Sequence, residues 1–222
     1  MQYQEKLQEV KANIQKVMVG KHHVIDLVLT ALLAGGHVLL EDVPGTGKTL
    51  LAKTLAKSVQ AEFSRIQFTP DLLPSDVTGL NYFNQKQSEF VFRKGPIFAN
   101  ILLGDEINRA TPRTQSSLLE CMEEKQVTID GKTWDVGKPF FVIATQNPVE
   151  TAGTFPLPEA QMDRFLMHIS MGLPDAGEEL HILERFLYRS PLGEIEPVMQ
   201  LEELLSLQSA CMEVYVHKAM ME

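Results

Sequence analysis

The sequence contains few of the residues that build disulfide-rich or metal-binding domains. Of its 222 residues only two are cysteines, Cys121 and Cys211, and both lie in apolar segments with a helical pattern. Disulfide-stabilised domains are far richer in cysteine, so we expect two buried, reduced thiols. The six histidines show no metal-ligand spacing with each other or with cysteine, and we assign them no chemistry.

Long apolar runs and an excess of basic residues are missing as well. No run approaches the roughly 20 apolar residues that a membrane helix needs, and the polar start, MQYQEKLQEVKANIQ, has no signal-peptide core. We therefore expect a cytoplasmic protein without membrane insertion. The formal net charge of −9 at pH 7 argues against nucleic acid as the main partner, because phosphate backbones bind to basic surfaces.

The sequence does contain a repeated alternation of short apolar runs and helical patterns. Apolar residues spaced for one helix face occur over residues 2–18 and again from Val24 to Leu32. Five continuous apolar runs predict buried strands, over residues 37–41, 61–68, 100–106, 140–145 and 165–169. Buried strands that alternate with helices predict an α/β fold, with a parallel sheet covered on both faces.

Two stretches interrupt this alternation. Residues 77–98 predict a hairpin or loop insertion, and residues 125–141 contain DGK between two β-prone arms, which is a strong hairpin signal. Beyond GLPD the pattern is helical only, with two amphipathic stripes. We therefore predict a first domain over residues 1–173 and a small, all-helical second domain over residues 174–222.

The segment LLEDVPGTGKTLLAKTLAKSV predicts a phosphate-binding loop between a strand and a helix. Gly45 and Gly47 allow the backbone to approach a phosphate, Lys48 supplies a positive charge, and Thr49 offers a hydroxyl to Mg²⁺. Asp42 stands where the usual pattern has its first glycine, and we expect its side chain to point away from the phosphates and bond local amides. The alternative, a glycine-rich turn without a ligand, would leave the lysine and threonine unexplained.

Polar residues follow two of the predicted strands. In ILLGDE, Asp105 is placed with Thr49 to hold the Mg²⁺ shell, and Glu106 is placed to polarise a water for attack on the terminal phosphate. In IATQNP, Asn147 is a candidate to position that water, although this segment taken alone would favour a simple Asn-Pro turn. The expected cofactors are ATP or ADP with Mg²⁺.

Three stretches carry a resemblance to a known family. GHVLLEDVPGTGKT, ILLGDEINRATPRTQSSLLECMEEKQVTIDG and FFVIATQNPVETAGTFPLPEAQMDRF together resemble the MoxR group of AAA+ ATPases, from about residue 19 to residue 173. The resemblance implies a P-loop AAA+ core, which is an αβα sandwich around a five-stranded parallel sheet. An acidic residue at the place of Asp42 is common in that group, so the resemblance implies a working variant of the loop.

The resemblance also implies roles for single residues. In such ATPases the segment matching Val19 and Gly20 lines the adenine pocket, and the loop after the first strand binds the phosphates. The nucleotide-binding residues implied here are Val19, Gly20, Pro44, Gly45, Thr46, Gly47, Lys48, Thr49 and Leu50.

The catalytic residues implied are Lys48, Glu106, Asn147 as the first sensor, and Arg164 as an arginine finger. A finger reaches the γ-phosphate bound by a neighbouring subunit, so the resemblance implies a ring, typically a hexamer. Arg109 and Arg113 match further arginines of the family, which either serve at the subunit interface or pair with local acids.

MoxR-type rings remodel or mature protein clients, with partners that carry von Willebrand A domains, and the same function is implied here. The family lid carries a second-sensor arginine, whereas no candidate follows Arg189 in this sequence, so we expect a truncated lid over residues 174–222. A nucleotide-binding fragment with little turnover is therefore one alternative. A nucleic-acid-linked AAA+ motor is another, although the hairpin cations are mostly offset by Glu89, Asp130 and Asp135.

Overall fold

The computed structural model describes residues 2–41, 43–149, 153–187, 190–216 and 220. Its strands are β1 (Val38–Glu41), β2 (Phe63–Gln67), β3 (Gly79–Asn84), β4 (Glu89–Lys94), β5 (Ile101–Asp105), β6 (Gln126–Ile129), β7 (Lys132–Asp135), β8 (Phe141–Gln146) and β9 (Met167–Ile169). Its helices are α1 (Gln2–Gln15), α2 (His22–Leu33), α3 (Lys48–Ser58), α4 (Pro74–Thr78), α5 (Pro112–Glu124), α6 (Glu159–Met162), α7 (Ala176–Phe186) and α8 (Leu201–Met212). Short 3₁₀ turns cover Pro96–Phe98, Ile107–Arg109 and Pro191–Gly193.

The central sheet has five strands in the order β2-β5-β8-β1-β9, and every neighbouring pair is parallel. The prediction of a five-stranded parallel sheet is therefore confirmed, with strand ends that lie within two residues of the ends of the apolar runs. Because the strands are parallel, the ends of β1, β5 and β8 meet at one edge of the sheet, where ligands bind in such folds.

Both faces of the sheet are buried. Leu40 and Leu103 belong to a core cluster formed with α1, α2 and α3, whereas their chain neighbours Leu39 and Leu102 belong to a second cluster that includes residues of α5. Successive strand residues point to opposite faces, so continuous apolar strands require a helical layer on each side. The predicted αβα sandwich is confirmed.

Two antiparallel hairpins project from this sandwich. β3 pairs with β4, and β6 pairs with β7 around a tight turn at Asp130 and Gly131, where both residues have positive φ. Hairpins in both predicted stretches are thus confirmed. The two hairpins contact each other, since the Phe92 and Trp134 rings stack with centroids 4.5 Å apart and Asn81 Nδ2 donates to an Asp130 carboxylate oxygen at 2.7 Å.

The C-terminal segment is helical, as predicted, and its second helix packs on the sandwich. Leu204 and Leu207 of α8 belong to the same core cluster as α1 and α2, and the Gln208 side chain donates to the Leu32 carbonyl oxygen. The division at residue 173 stays a prediction, as does the truncated lid. Of the described helices, none combines the length and the apolarity that crossing a membrane would need.

One expectation about the cysteines is wrong. Cys121 is buried, and burial raises the pKa of its thiol to about 12, but Cys211 is exposed. Cys211 lies on the same face of α8 as the buried Leu204 and Leu207, but in the last turn of that helix, where residues 211–216 are all exposed.

Candidate functional site

A cavity of about 410 Å³ opens at the carboxyl edge of the parallel sheet. Three parts of the chain form its walls, namely the loop before α3, the ends of β5 and β8, and two side chains of β2. Its lining residues are Pro44, Gly45, Gly47, Lys48, Thr49, Leu50, Arg65, Gln67, Asp105, Glu106, Thr145, Gln146 and Asn147.

The loop before α3 has the backbone geometry of an anion cradle. Gly45 and Gly47 have φ values of 88° and 89°, which L residues with a side chain rarely adopt. The helix begins at Lys48, and the first N–H groups of a helix have no acceptor within it. These N–H groups and the positive end of the helix dipole together favour a phosphate at this point.

Three side chains, those of Thr46, Lys48 and Thr49, complete the cradle. Lys48 Nζ donates to the Val43 carbonyl oxygen at 3.0 Å, and the Thr46 hydroxyl donates to the same oxygen at 3.4 Å. Thr49, in the first turn of α3, lines the cavity. Asp42 lies outside the described residues, so the orientation expected for its side chain stays a prediction.

Asp105 and Glu106 lie side by side at the end of β5, and Thr145 of β8 holds both. The Thr145 hydroxyl donates to Asp105 Oδ1 at 3.2 Å and accepts the backbone N–H of Glu106 at 2.9 Å. Glu106 has a left-handed backbone conformation, with φ 57° and ψ 49°. This turn directs two consecutive carboxylates into one cavity, although a continuing strand would have pointed them to opposite faces.

Each carboxylate has a cationic partner within the chain. Arg65 Nε donates to Asp105 Oδ2 at 2.7 Å, and an Arg109 guanidinium nitrogen donates to Glu106 Oε2 at 3.1 Å. The same Glu106 oxygen accepts a hydrogen bond from Gln67 Nε2 at 2.7 Å. Of the two roles left open for Arg109, pairing with a local acid is the one that this geometry supports.

Arg65 and Gln67 are site residues that the sequence reasoning missed. They occupy alternate positions of β2 and therefore share one face, and the register of β2 against β5 places Gln67 beside Asp105. The available signal was two polar residues, spaced by two, in a strand expected to be buried. Arg65 also donates to Gln67 Oε1 at 3.0 Å, which turns the amide NH₂ group of Gln67 toward Glu106.

A smaller, more apolar cavity of about 230 Å³ adjoins the loop. Val19 lines it together with Gly45, Thr46, Gly47 and Leu50, and residues of the α7 region close its far side, namely Pro174, Ile182 and Phe186. Gly20, the neighbour of Val19, has φ 64° and packs against the Glu178 side chain. An apolar slot beside an anion cradle has the shape and chemistry to take a flat ring attached to phosphates.

Asn147 and Arg164 differ in where they lie. Asn147 lines the larger cavity, and its Oδ1 accepts a hydrogen bond from the Val149 N–H at 3.1 Å. The residue therefore both stabilises a local turn and faces the cavity. Arg164 is not among the residues that line either cavity, and its guanidinium is paired with the Glu123 carboxylate. Arg113 is exposed on α5 and lines neither cavity.

The residues present fit a divalent metal ion. The Thr49 hydroxyl and the Asp105 carboxylate are hard oxygen ligands, which Mg²⁺ prefers, and both line the cavity that also holds the anion cradle. Mg²⁺ in nucleotide sites is bound by one or two such protein groups together with substrate phosphates and waters.

Comparison with known proteins agrees with this geometry. Residues 37–167 match the profile of the ATPase family associated with various cellular activities (AAA). The chain is 57% identical over 212 residues to the uncharacterized protein YeaC of Bacillus subtilis, covering 94% of this chain and 66% of YeaC. It is 45% identical over 209 residues to the chaperone MoxR1 of Mycobacterium tuberculosis, covering 94% of this chain and 55% of MoxR1.

A solved structure shares the whole fold. The crystal structure of a candidate ATPase from Cytophaga hutchinsonii superimposes with a TM-score of 0.91 at 44% sequence identity, covering 99% of this chain and 66% of that one. The chain thus spans between about half and two thirds of the length of these relatives. The profile match over more than half of the chain, together with the relatives, shows that the chain belongs to the AAA ATPases and within them to the MoxR type.

Proposed function

We propose that this chain binds ATP and ADP with Mg²⁺ and hydrolyses ATP, and that the energy released serves to remodel or mature protein clients. The observation that carries the proposal is a single cavity that joins a glycine-rich anion cradle, Lys48, two adjacent carboxylates and Asn147. Phosphate binding, metal holding and water activation are the three requirements of hydrolysis, and this cavity has a residue for each.

The nucleotide would lie across both cavities. Backbone N–H groups between Gly45 and Leu50 would cradle the phosphates, and Lys48 would turn its ammonium group from the Val43 carbonyl oxygen toward them. The adenine ring would enter the apolar slot beside Val19. Thr49 and Asp105 would hold the Mg²⁺, which when bound neutralises charge on the phosphate oxygens.

Glu106 is the proposed proton acceptor for the attacking water. A general base must lie within hydrogen-bonding reach of that water, and Asn147 across the same cavity would orient it. Gln67 and Arg109 both bond Oε2 of Glu106, so the proposed proton acceptor is the other carboxylate oxygen, Oε1.

We also propose that the active unit is a ring, typically a hexamer, in which Arg164 acts on the nucleotide of a neighbouring subunit. Its position outside both cavities and its partial exposure support a role in trans. The proposed partners are protein clients and proteins with von Willebrand A domains. In support, one relative is named a chaperone, and the hairpin formed by β3 and β4 exposes Phe83 and Phe90.

Replacing Glu106 tests the hydrolysis proposal. Glu106→Gln keeps the shape of the side chain and removes the proton acceptor, so we expect unchanged ATP affinity and turnover lower by a factor of about 10² to 10⁴. Affinity is measured by calorimetry and turnover by phosphate release.

Two lysine variants of α3 test the phosphate-binding loop, one as the test and the other as its matched control. Lys48→Ala should abolish measurable ATP binding, whereas Lys53→Ala, at an exposed position of α3, should leave it unchanged. Undiminished turnover in Glu106→Gln, or full ATP affinity in Lys48→Ala, would contradict the assignment.

A further inference from the structure

Arg65 forms an ion pair with the carboxylate that we assign to the metal site. Its Nε lies 2.7 Å from Asp105 Oδ2, the Asp105 side chain is only 10% exposed, and the Arg65 side chain is 47% exposed. Within the described part of the chain, this is the one salt bridge of Asp105. The guanidinium also lines the cavity that contains Lys48 and Thr49.

Both oxygens of Asp105 are engaged, but by partners of different kinds. Oδ1 accepts the neutral Thr145 hydroxyl, which fixes the orientation of the carboxylate and also binds the Glu106 backbone. Oδ2 accepts a hydrogen bond from the charged guanidinium of Arg65. The negative charge that would attract a divalent ion is therefore already balanced by a cation of the chain itself.

A second contact holds Arg65 in this position. One terminal nitrogen of its guanidinium donates to Gln67 Oε1 at 3.0 Å while Nε donates to Asp105. A planar guanidinium can make both bonds at once, whereas a lysine ammonium at the same position would offer the charge without the paired geometry.

We propose that Arg65 is a built-in counter-ion of the metal site. It neutralises Asp105 while the chain is free of metal, and it has to leave Oδ2 when nucleotide and Mg²⁺ bind together. The guanidinium would otherwise stand beside a doubly charged ion on one carboxylate, where like charges repel. Arg65 thereby sets how much Mg²⁺ binding adds to nucleotide affinity. The inference rests on the proposed nucleotide site.

The test compares ADP affinity with Mg²⁺ and with EDTA, by calorimetry, in the full chain. Arg65→Gln removes the competing charge, so we expect the affinity for ADP with Mg²⁺ to rise about fivefold. This factor corresponds to the strongest interaction usually measured for an exposed ion pair. The affinity in EDTA should stay unchanged. Arg65→Lys, which keeps a cation beside Asp105, should stay close to the unmodified chain in both conditions.

Arg93→Gln is the matched control, because it removes the same charge from an exposed position on β4 and should change neither affinity. A weaker affinity of Arg65→Gln in EDTA would mean that Arg65 binds phosphate, and this overturns the proposal. Equal affinities of Arg65→Gln and the unmodified chain in both conditions would overturn it as well. An unmodified chain that binds no ADP in either condition would instead refute the nucleotide site itself.

Discussion

At the scale of single residues, His37 shows how burial controls charge. Its ring is buried between the sheet and α5, where Nε2 donates to the Met122 carbonyl oxygen at 3.2 Å and Nδ1 accepts the Val142 N–H at 3.1 Å. Both nitrogens are thus satisfied in one neutral tautomer. Protonation would place a second proton against the Val142 N–H. Burial lowers the pKa of His37 from 6.5 to about 4, and the nearby Lys125 charge acts in the same direction.

The lowered pKa of His37 predicts that the free energy of unfolding decreases as the pH falls. The unfolded chain takes up the proton near pH 6.5, but the folded chain does so only near pH 4, so the contribution is complete above pH 6.5 and is lost as the pH falls toward 4. The free energy involved is about 3 kcal/mol over that interval. The measurement is urea unfolding at several pH values above and within it.

The variant His37→Gln isolates this effect. An amide can accept from Val142 and donate to Met122 without titrating, so the free energy of unfolding should fall less between pH 6.5 and pH 4 than in the unmodified chain. His181→Gln, at an exposed position of α7, should retain the full dependence. The same slope in the unmodified chain and in His37→Gln would contradict the assignment.

Some residues of the site are predictable from the sequence, and others are not. Lys48, Thr49, Asp105, Glu106 and Asn147 were found because each follows a strand or opens a helix, and all of them line one cavity. Their roles stay predictions. Arg65 and Gln67 were missed because their positions depend on the pairing of β2 with β5, strands separated by a long segment of chain, which no local pattern encodes.

At the scale of elements, the strands and hairpins were predictable and their mutual packing was not. Continuous apolar runs can be satisfied only in a sheet with two covered faces, and the Asp130–Gly131 pair favours a tight turn. By contrast, the contact between the two hairpins depends on Phe92 and Trp134 meeting across a large sequence separation. Lys132 Nζ also lies 4.1 Å from the centroid of the Trp134 ring.

Trp134 is the one tryptophan in the sequence, so its fluorescence reports this contact. We predict that Phe92→Ala exposes the indole and increases quenching of its emission by acrylamide. Loss of a stacked aromatic pair should cost about 1 kcal/mol of hairpin packing. Unfolding of the sandwich should be little affected, because both rings lie outside the two core clusters.

Phe83→Ala is the matched control, since Phe83 packs on Phe90 at the other end of the hairpin and not on Trp134. It should leave the quenching of Trp134 unchanged. Equal quenching in Phe92→Ala and the unmodified chain would show that the two hairpins are held together by other contacts, such as the bond from Asn81 to Asp130.

At the scale of the whole molecule, the apolar faces of α7 and α8 are predictable from the sequence, but the elements that they pack against are not. The stripe of α8 predicted an amphipathic helix, but its packing on α2 depends on contacts between segments far apart in the sequence. α7 instead covers the apolar slot with Ile182 and Phe186 while Leu180 and Leu183 remain exposed. The helical segment therefore lines the smaller cavity, whereas none of its described residues is among those that line the larger one.

We propose an ATP site that is completed by a neighbouring subunit. The cavity contains a cradle, two carboxylates and Asn147, whereas Arg164 lies elsewhere on the surface and pairs with Glu123. An arginine finger is worth a factor of about 10³ to 10⁵ in phosphoryl transfer. A chain that supplies its finger to another copy is therefore nearly inactive when alone.

The most direct measurement is the rate of ATP hydrolysis per subunit as the protein concentration rises, with Arg164→Ala and the exposed Arg93→Ala alongside. We predict a per-subunit rate that climbs with concentration in the unmodified chain and in Arg93→Ala. In Arg164→Ala the rate should stay at the low level of the dilute chain, about a thousandfold below the unmodified chain once its subunits have assembled. A per-subunit rate that is independent of concentration and equal in all three proteins would contradict the proposal.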